Sequence, residues 1–292
     1  MSDEDPGFFA GKHVVIFGLG LMGGSLAMAL KGHCRQLTGI DPDSCAVESA
    51  LTRRIVDQAE VLPGELTRDA DLIILATPVN MILLLLGALP DLCPQRAIVM
   101  DFGSTKRVIC DAMRSLPERF DPLGGHPMCG KETSGLESAD PSIFQGANFA
   151  LIPLKRTTSN ARQAAEALVR LIGSHALWMD ADTHDTRVAA TSHLPYLAAN
   201  ALAYCTPPSA APLAASGFAS TTRLAVTPAT MMLDVLQTNR DAILDSLHRY
   251  REHLAELENL LLTGNYPDLQ AVLAAGAENR TRIEISAKGE IS

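Results

Sequence analysis

No two of the six cysteines form a CxxC pair, and the N-terminus carries no apolar signal-peptide core. Cys34, Cys45, Cys93, Cys110, Cys129 and Cys205 are therefore expected to be reduced thiols in a cytoplasmic protein. Positive charge is also short. Lys and Arg number 24 against 33 Asp and Glu, giving a net charge of −9, which argues against nucleic acid or an anionic membrane as partner. A small anionic substrate held by local cations is still allowed. Residues 72–90 lack charge over a bilayer-spanning length, but Thr77-Pro78 and Asn80 interrupt them, so no transmembrane segment is expected. No His/Cys/Asp cluster has metal-ligand spacing, and no internal repeat is visible.

What is present is an ordinary globular composition, 47% hydrophobic over 292 residues, enough for two domains. His13–Phe17 reads as a strand buried on both faces, followed at once by Gly18-Leu19-Gly20-Leu21-Met22-Gly23 and a helical pattern. A GxGxxG between strand and helix is the context of the dinucleotide-binding fingerprint. Gly18 permits the tight turn, Gly20 the approach of a pyrophosphate, and Gly23 close helix packing. Asp41 ends the next strand, 18 residues beyond Gly23, where a carboxylate accepts the ribose hydroxyls and repels a 2′-phosphate. NAD is thus expected over NADP. Gly18, Gly20, Leu21, Met22, Gly23 and Asp41 are the candidate cofactor contacts, with Thr77 toward the nicotinamide end.

Strand and helix signals then alternate through Leu72–Ala76, Ala97–Asp101, Asn148–Pro153 and His175–Met179, and stop near Asp180. Beyond that only helices are expected: Thr183–Tyr204, Pro228–Gln237, Arg240–Leu262 and a short one at Tyr266–Ala275. The fold class expected is an α/β Rossmann-type domain over residues 1–181 followed by an all-α domain over 182–292. In the long helix, Ile243, Leu247, Tyr250, Leu254, Leu257 and Leu261 step by four and three, a seam suited either to packing within its own domain or to a homodimer.

Three stretches carry chemistry. Gly124–Gly135 holds four glycines, Pro127, His126 and Glu132, a density expected of a loop, either one presenting an acid–base group or a surface turn whose histidine is incidental. Ser104 opens the helix after Ala97–Asp101, as a cap or a site residue. His193 interrupts an Ala-rich apolar helix, as a core residue or a site residue, and Ser216–Arg223 reads as a small-residue loop ending in an arginine fit to clamp a carboxylate.

Together, Gly18–Leu26, Ala76–Val79, Asp101–Lys106, Gly125–Gly135, Ser192–Pro195 and Gly217–Arg223 resemble the prephenate/arogenate dehydrogenases of tyrosine biosynthesis, in the family's order. The resemblance implies NAD-dependent oxidative decarboxylation of prephenate to 4-hydroxyphenylpyruvate, or of arogenate to tyrosine, by a dimer whose site lies between the domains. It assigns His126 as the catalytic histidine and Ser104 as its orienting partner. Arg223, His193 and Glu132 become substrate-side residues. The sequence departs from the family where a tryptophan is common, at Ala229–Met232, and where a histidine often follows His-Leu-Pro, here Tyr196. A β-hydroxyacid dehydrogenase shares the architecture but is expected to use a lysine on the first long helix, and residues 183–204 contain none. A non-catalytic NAD sensor has no need of Ser104, His126 and Arg223 together.

Overall fold

The computed structural model describes residues 7–131 and 133–289. The chain divides into two compact units, Met1–Arg240 and Asp241–Ser292.

The first unit opens with β1 (His13–Phe17), α1 (Leu21–Leu30), β2 (Gln36–Ile40), α2 (Ser44–Thr52) and β3 (Gln58–Glu60). It continues with β4 (Leu72–Leu75), α3 (Val79–Leu92), β5 (Ala97–Asp101), α4 (Arg107–Arg114) and β6 (Phe120–Pro127). Then come β7 (Asn148–Pro153), α5 (Ser159–Leu171) and β8 (His175–Trp178). The eight strands form one sheet in the order β3-β2-β1-β4-β5-β6-β7-β8. All neighbours run parallel except β6 and β7, which are antiparallel.

Both faces of the sheet are covered, which is why its central strands read as unbroken apolar runs. Alternate residues feed two cores. Val14 and Ile16 of β1 pack on one side with Leu26 and Leu30 of α1 and Leu168 of α5. Val15 and Phe17 pack on the other with Ile82 and Leu86 of α3 and Ile109 of α4. Each such side chain, taken fully from water, contributes roughly 1.5–3 kcal/mol. The sheet is therefore a rigid platform. Its strand order reverses direction between β1 and β4, which opens a crevice at their C-terminal ends.

After β8 the first unit is helical: α6 (Ala181–Val188), α7 (Leu194–Cys205), α8 (Ser216–Thr222) and α9 (Ala229–Thr238). The single helix expected over Thr183–Tyr204 is instead α6 and α7 joined by a wide π turn, Ala189–His193. Pro195, in the first turn of α7, has no N–H and would crowd the carbonyl four residues back, and the wide turn just before it relieves both. Residues 216–222, expected as a loop, are helix α8. Ser220, Thr221 and Thr222 turn their hydroxyls back onto the Gly217 and Phe218 carbonyls, so small polar residues hide the helix without breaking it.

α10 (Arg240–Leu262) matches its expected bounds and leads into the second unit. α11 runs from Tyr266 to Gly289, far beyond the short helix expected, because its polar second half has helix-forming residues but no apolar period to mark it. The seam on α10 is buried at Ile243, half-buried at Leu247 and Leu257, and exposed at Tyr250 (39%), Leu254 (46%) and Leu261 (58%) in the single chain. Among the described residues no helix is long and apolar enough to cross a membrane.

The largest departure from expectation concerns Gly124–Pro127, which form the end of β6 rather than a loop. They pair with Phe149–Ile152 of β7. The glycines serve close approach, not a turn: a Cβ on Gly125 would lie 2.7 Å from the Asp101 carbonyl oxygen and 3.0 Å from the Phe149 ring. Gly125→Ala should therefore lower stability by about 1–3 kcal/mol. Its urea midpoint, compared with that of Gly130→Ala, where a Cβ meets nothing within 4 Å, checks this; equal midpoints would contradict it.

Candidate active site

Four chain segments reach the same edge of the sheet because β1, β4, β5 and β6 are parallel neighbours. They carry Gly18–Gly20, Ala76-Thr77, Phe102–Ser104 and His126.

At β1, Gly18 has φ +93°, and a Cβ there would lie 2.7 Å from the Ala76 carbonyl oxygen. A Cβ on Gly23 would overlap the Gly18 carbonyl, so the third glycine lets α1 sit against the turn. Gly20 faces open space, with nothing within 4 Å of its Cβ position. α1 starts there with no side-chain cap and no acidic residue in its first turn, which leaves its N–H groups and the positive end of the helix dipole for a phosphate. Asp41 accepts the Leu19 N–H at 2.7 Å and the Asp43 N–H at 2.9 Å, one on each oxygen. It thus anchors the glycine turn while keeping further lone pairs. The Thr77 hydroxyl is buried with no protein partner. An open glycine cradle, uncapped helix N–H groups and an unsatisfied hydroxyl at the switch point fit a dinucleotide. Leu21 and Met22 open α1 beside that cradle.

At β5 and β6, Asp101 and Lys106 are both fully buried and form an ion pair. Lys106 Nζ also donates to the Gly125 carbonyl at 2.7 Å, and Asp101 accepts the N–H groups of Gly103 at 2.9 Å and Gly125 at 3.2 Å. The β5–β6 ladder ends at Leu123, and this pair takes over from it. His126 is thereby fixed to the sheet by β7 on one side and by two side chains on the other. Ser104 lies in the link between β5 and α4, half-buried. It does not cap α4, which begins at Arg107 with no cap from its own chain neighbours. Asp185 of α6 does that work, accepting the Lys106 N–H at 2.7 Å and the Arg107 N–H at 2.9 Å.

The helical segment supplies a buried polar cluster. Asp185 Oδ1 accepts from His184 Nδ1 at 2.7 Å, and His184 Nε2 lies 2.9 Å from His126 Nδ1. Asn239 donates its amide N–H to the Asp185 carbonyl at 2.7 Å and lies 3.3 Å from His193 Nδ1. Its side-chain oxygen faces Arg107 at 3.5 Å. His193 is thus buried in the wide turn and joined to the same cluster. Among the described residues no group of three or more His, Cys, Asp or Glu converges as a metal site. Arg223 lies exposed at the start of a 3-10 turn, Arg223–Val226. Glu132 lies outside the described residues.

Sequence reasoning missed His184 and Asp185, gave Asp101 and Lys106 no role, and read Asn239 at the start of the long helix as a cap or an anion contact. His184-Asp185 follow Asp180 and Asp182 in a stretch that reads as an acidic helix start. The only signal was a histidine beside an acid near the point where the alternation stops. The two departures from the family pattern meet in space: Tyr196 packs in one buried cluster with Met232 and Val235.

Comparison with known proteins agrees with this layout. Residues 26–177 match the family described as prephenate dehydrogenase, nucleotide-binding domain, and residues 180–275 that described as prephenate dehydrogenase, dimerization domain. The chain is 31% identical to a prephenate dehydrogenase of Bacillus subtilis, over 85% of this chain and 68% of that protein. The structure of prephenate dehydrogenase from A. aeolicus in complex with hydroxyphenyl propionate and NAD+ superposes with a TM-score of 0.86 at 25% identity, covering 94% of this chain and 99% of that one. Synechocystis arogenate dehydrogenase gives 0.80 at 29% identity, covering 93% and 99%.

The histidines make stability pH-dependent. Burial holds His193 at about 4 against the pull of the Asp185 carboxylate, and the repulsion its proton would meet from a protonated His184 acts the same way as burial. Burial pushes His126 well below its usual value, as does the repulsion its proton would meet from a protonated His184, from Lys106 and from a protonated His193. In the unfolded chain both titrate near pH 6.5. Between there and about pH 4 the unfolded state binds more protons, so stability falls as pH falls through that window. At pH 5 the His193 share of the loss should be on the order of 2 kcal/mol. Urea midpoints at pH 7 and pH 5 should differ less for His193→Gln than for the wild type; equal differences would refute the assignment.

Proposed function

This chain belongs to the prephenate dehydrogenase family, and we propose on that basis that it oxidatively decarboxylates prephenate to 4-hydroxyphenylpyruvate with NAD as oxidant. The observation that carries the reading is His126, held at the end of β6 on the sheet edge that also bears the glycine turn, with its Nδ1 tied to His184.

Prephenate bears a ring hydroxyl para to a carboxylate-bearing carbon. Gly18, Gly20, Leu21, Met22, Gly23 and Asp41 would hold NAD, with Thr77 toward its nicotinamide end. When bound, NAD supplies the acceptor for the hydride that leaves the carbinol carbon. His126, kept neutral by its surroundings, accepts the hydroxyl proton as the O–H electron pair becomes the new C=O bond. Loss of CO2 sends the carboxylate's C–C bond electrons through the ring to the carbonyl oxygen, His126 returns the proton there to give the phenol, and aromatisation drives the step. The protein's task is orientation and proton management. Ser104, beside the same edge, orients the hydroxyl–His126 pair. Arg223 binds a substrate carboxylate, His193 lines the substrate side through the Asn239 cluster, and Glu132 takes the substrate-side role that the family resemblance gives it. The helical region from residue 182 carries His193 and Arg223, and the exposed part of the seam on α10 fits burial against a second copy in a homodimer.

Arogenate, which replaces the pyruvyl ketone by an amine, is the second reading. It draws on the likeness to the Synechocystis enzyme. Purified protein with each substrate and NAD+ or NADP+ should form NADH fastest from prephenate and NAD+. In the same assay His126→Asn should lower kcat by about 10²–10⁴-fold. No reduced cofactor from either substrate would refute the function.

A further inference from the structure

To accept a proton from the substrate, His126 must turn a ring nitrogen with a bare lone pair toward it. A neutral imidazole has one protonated and one bare nitrogen, and the partner of one decides the state of the other. The polar cluster settles which is which. Asp185 receives the N–H groups of Lys106 and Arg107 together with His184 Nδ1. Burial opposes its charge, but these hydrogen bonds hold its carboxyl below the usual range, so it is ionised and only accepts. His184 Nδ1 must then be the donor.

We propose, resting on the role of His126 as proton acceptor in the proposed reaction, that Asp185 and His184 are positioning residues that fix its tautomer. With its proton on Nδ1, neutral His184 presents a bare Nε2, 2.9 Å from His126 Nδ1. That nitrogen of His126 must donate, which leaves His126 Nε2 unprotonated and free for the substrate hydroxyl. The opposite state of His184, with Nε2–H, would force the proton of His126 onto its own Nε2 and turn the acceptor into a donor. The relay also receives charge. When the hydroxyl proton reaches His126 Nε2, the Nδ1 proton can shift to His184 Nε2. The cation then rests against the Asp185 carboxylate, and no further group gains or loses a proton.

The ring geometry agrees with a fixed pair rather than a chance contact: the two imidazoles meet edge to face, with centroids 5.1 Å apart and planes at 63°. His184 and Asp185 are both buried, so water does not compete for these nitrogens. The charged and titratable groups around the relay, among the described residues, are Lys106 with Asp101, Arg107 with Asp182 and Asp185, Cys110, and His193.

Asp185→Asn tests tautomer control, and His184→Gln and His184→Leu test it with the α4 cap left in place. Asparagine keeps one oxygen, which still accepts the Arg107 N–H, but at the Oδ1 position it presents an NH2 and the Lys106 N–H loses that acceptor, so the urea midpoint of the variant is read beside its kcat. That NH2 can instead donate to His184 Nδ1, which inverts both tautomers. In Ser-His-Asp triads the same exchange preserves geometry and costs about 10⁴-fold in kcat through the wrong tautomer. Imidazole ¹⁵N NMR of the unliganded wild type should show His126 protonated at Nδ1 and bare at Nε2, and the pattern should invert in Asp185→Asn. With the preferred substrate, kcat of the variant should fall by about 10²–10⁴-fold with KM changed less than about threefold. Should Asp185→Asn not fold, His184→Gln, whose oxygen can still accept from His126 Nδ1, should retain at least about tenfold more kcat than His184→Leu. A wild-type His126 protonated at Nε2, an unchanged kcat in Asp185→Asn, or equal kcat for the two His184 variants would overturn the proposal. The NMR reading needs no substrate, so it stands or falls separately from the assignment of the reaction.

Discussion

The buried Asp101–Lys106 ion pair is the constraint on which the site depends. Two full charges with no access to water are costly to bury, and their attraction offsets that only when every remaining donor and acceptor is used. Here they are used on the backbone of the neighbouring strand: Lys106 on the Gly125 carbonyl, Asp101 on the Gly125 and Gly103 N–H groups. The pair therefore does more than cancel itself. It extends the β5–β6 ladder past Leu123 with side chains, and the residue it delivers is His126. Hydrophobic residues of similar volume would fill the space but would leave the Gly125 backbone groups without partners, at about 1–3 kcal/mol each.

The second fixed frame comes from outside the sheet. Asp185 caps α4, orients His184 and, through its backbone carbonyl, holds Asn239, which in turn reaches His193. One residue thus links α4, α6, the wide turn and the approach to α10. Sheet and helical segment meet at His126, whose main chain belongs to β6 and whose ring is held from α6. A group tied at both ends keeps its direction while substrate enters and leaves, which is what proton transfer over a hydrogen-bond distance demands.

Much of the fold was legible because its signals are local. The glycine turn lies between a buried strand and a helix, β7 begins and ends where its apolar run does, and α10 follows its four-three seam. What was hidden depends on neighbours remote in sequence. Glycines 124 and 125 look like a turn until Asp101, Cys110 and Ile152 are seen pressing on them. Helix α8 has no apolar face to announce it, and the second half of α11 has none either. The site divides the same way. The expected cofactor contacts sit in a motif readable from spacing, whereas His126 and Ser104 gain their expected roles only from the family resemblance. His184 and Asp185 matter through partners 58 and 79 residues away in sequence, and no spacing pattern reveals those contacts.

The central claim is that His126, fixed by these two frames, takes the proton of the substrate's ring hydroxyl. It is tested most directly by a crystal structure with NAD+ and an unreactive ligand that carries that hydroxyl. The account predicts His126 Nε2 within about 2.6–3.2 Å of the hydroxyl oxygen, with Nδ1 still on His184. A hydroxyl bound to another side chain, or a His126 ring turned to present Nδ1, would contradict it.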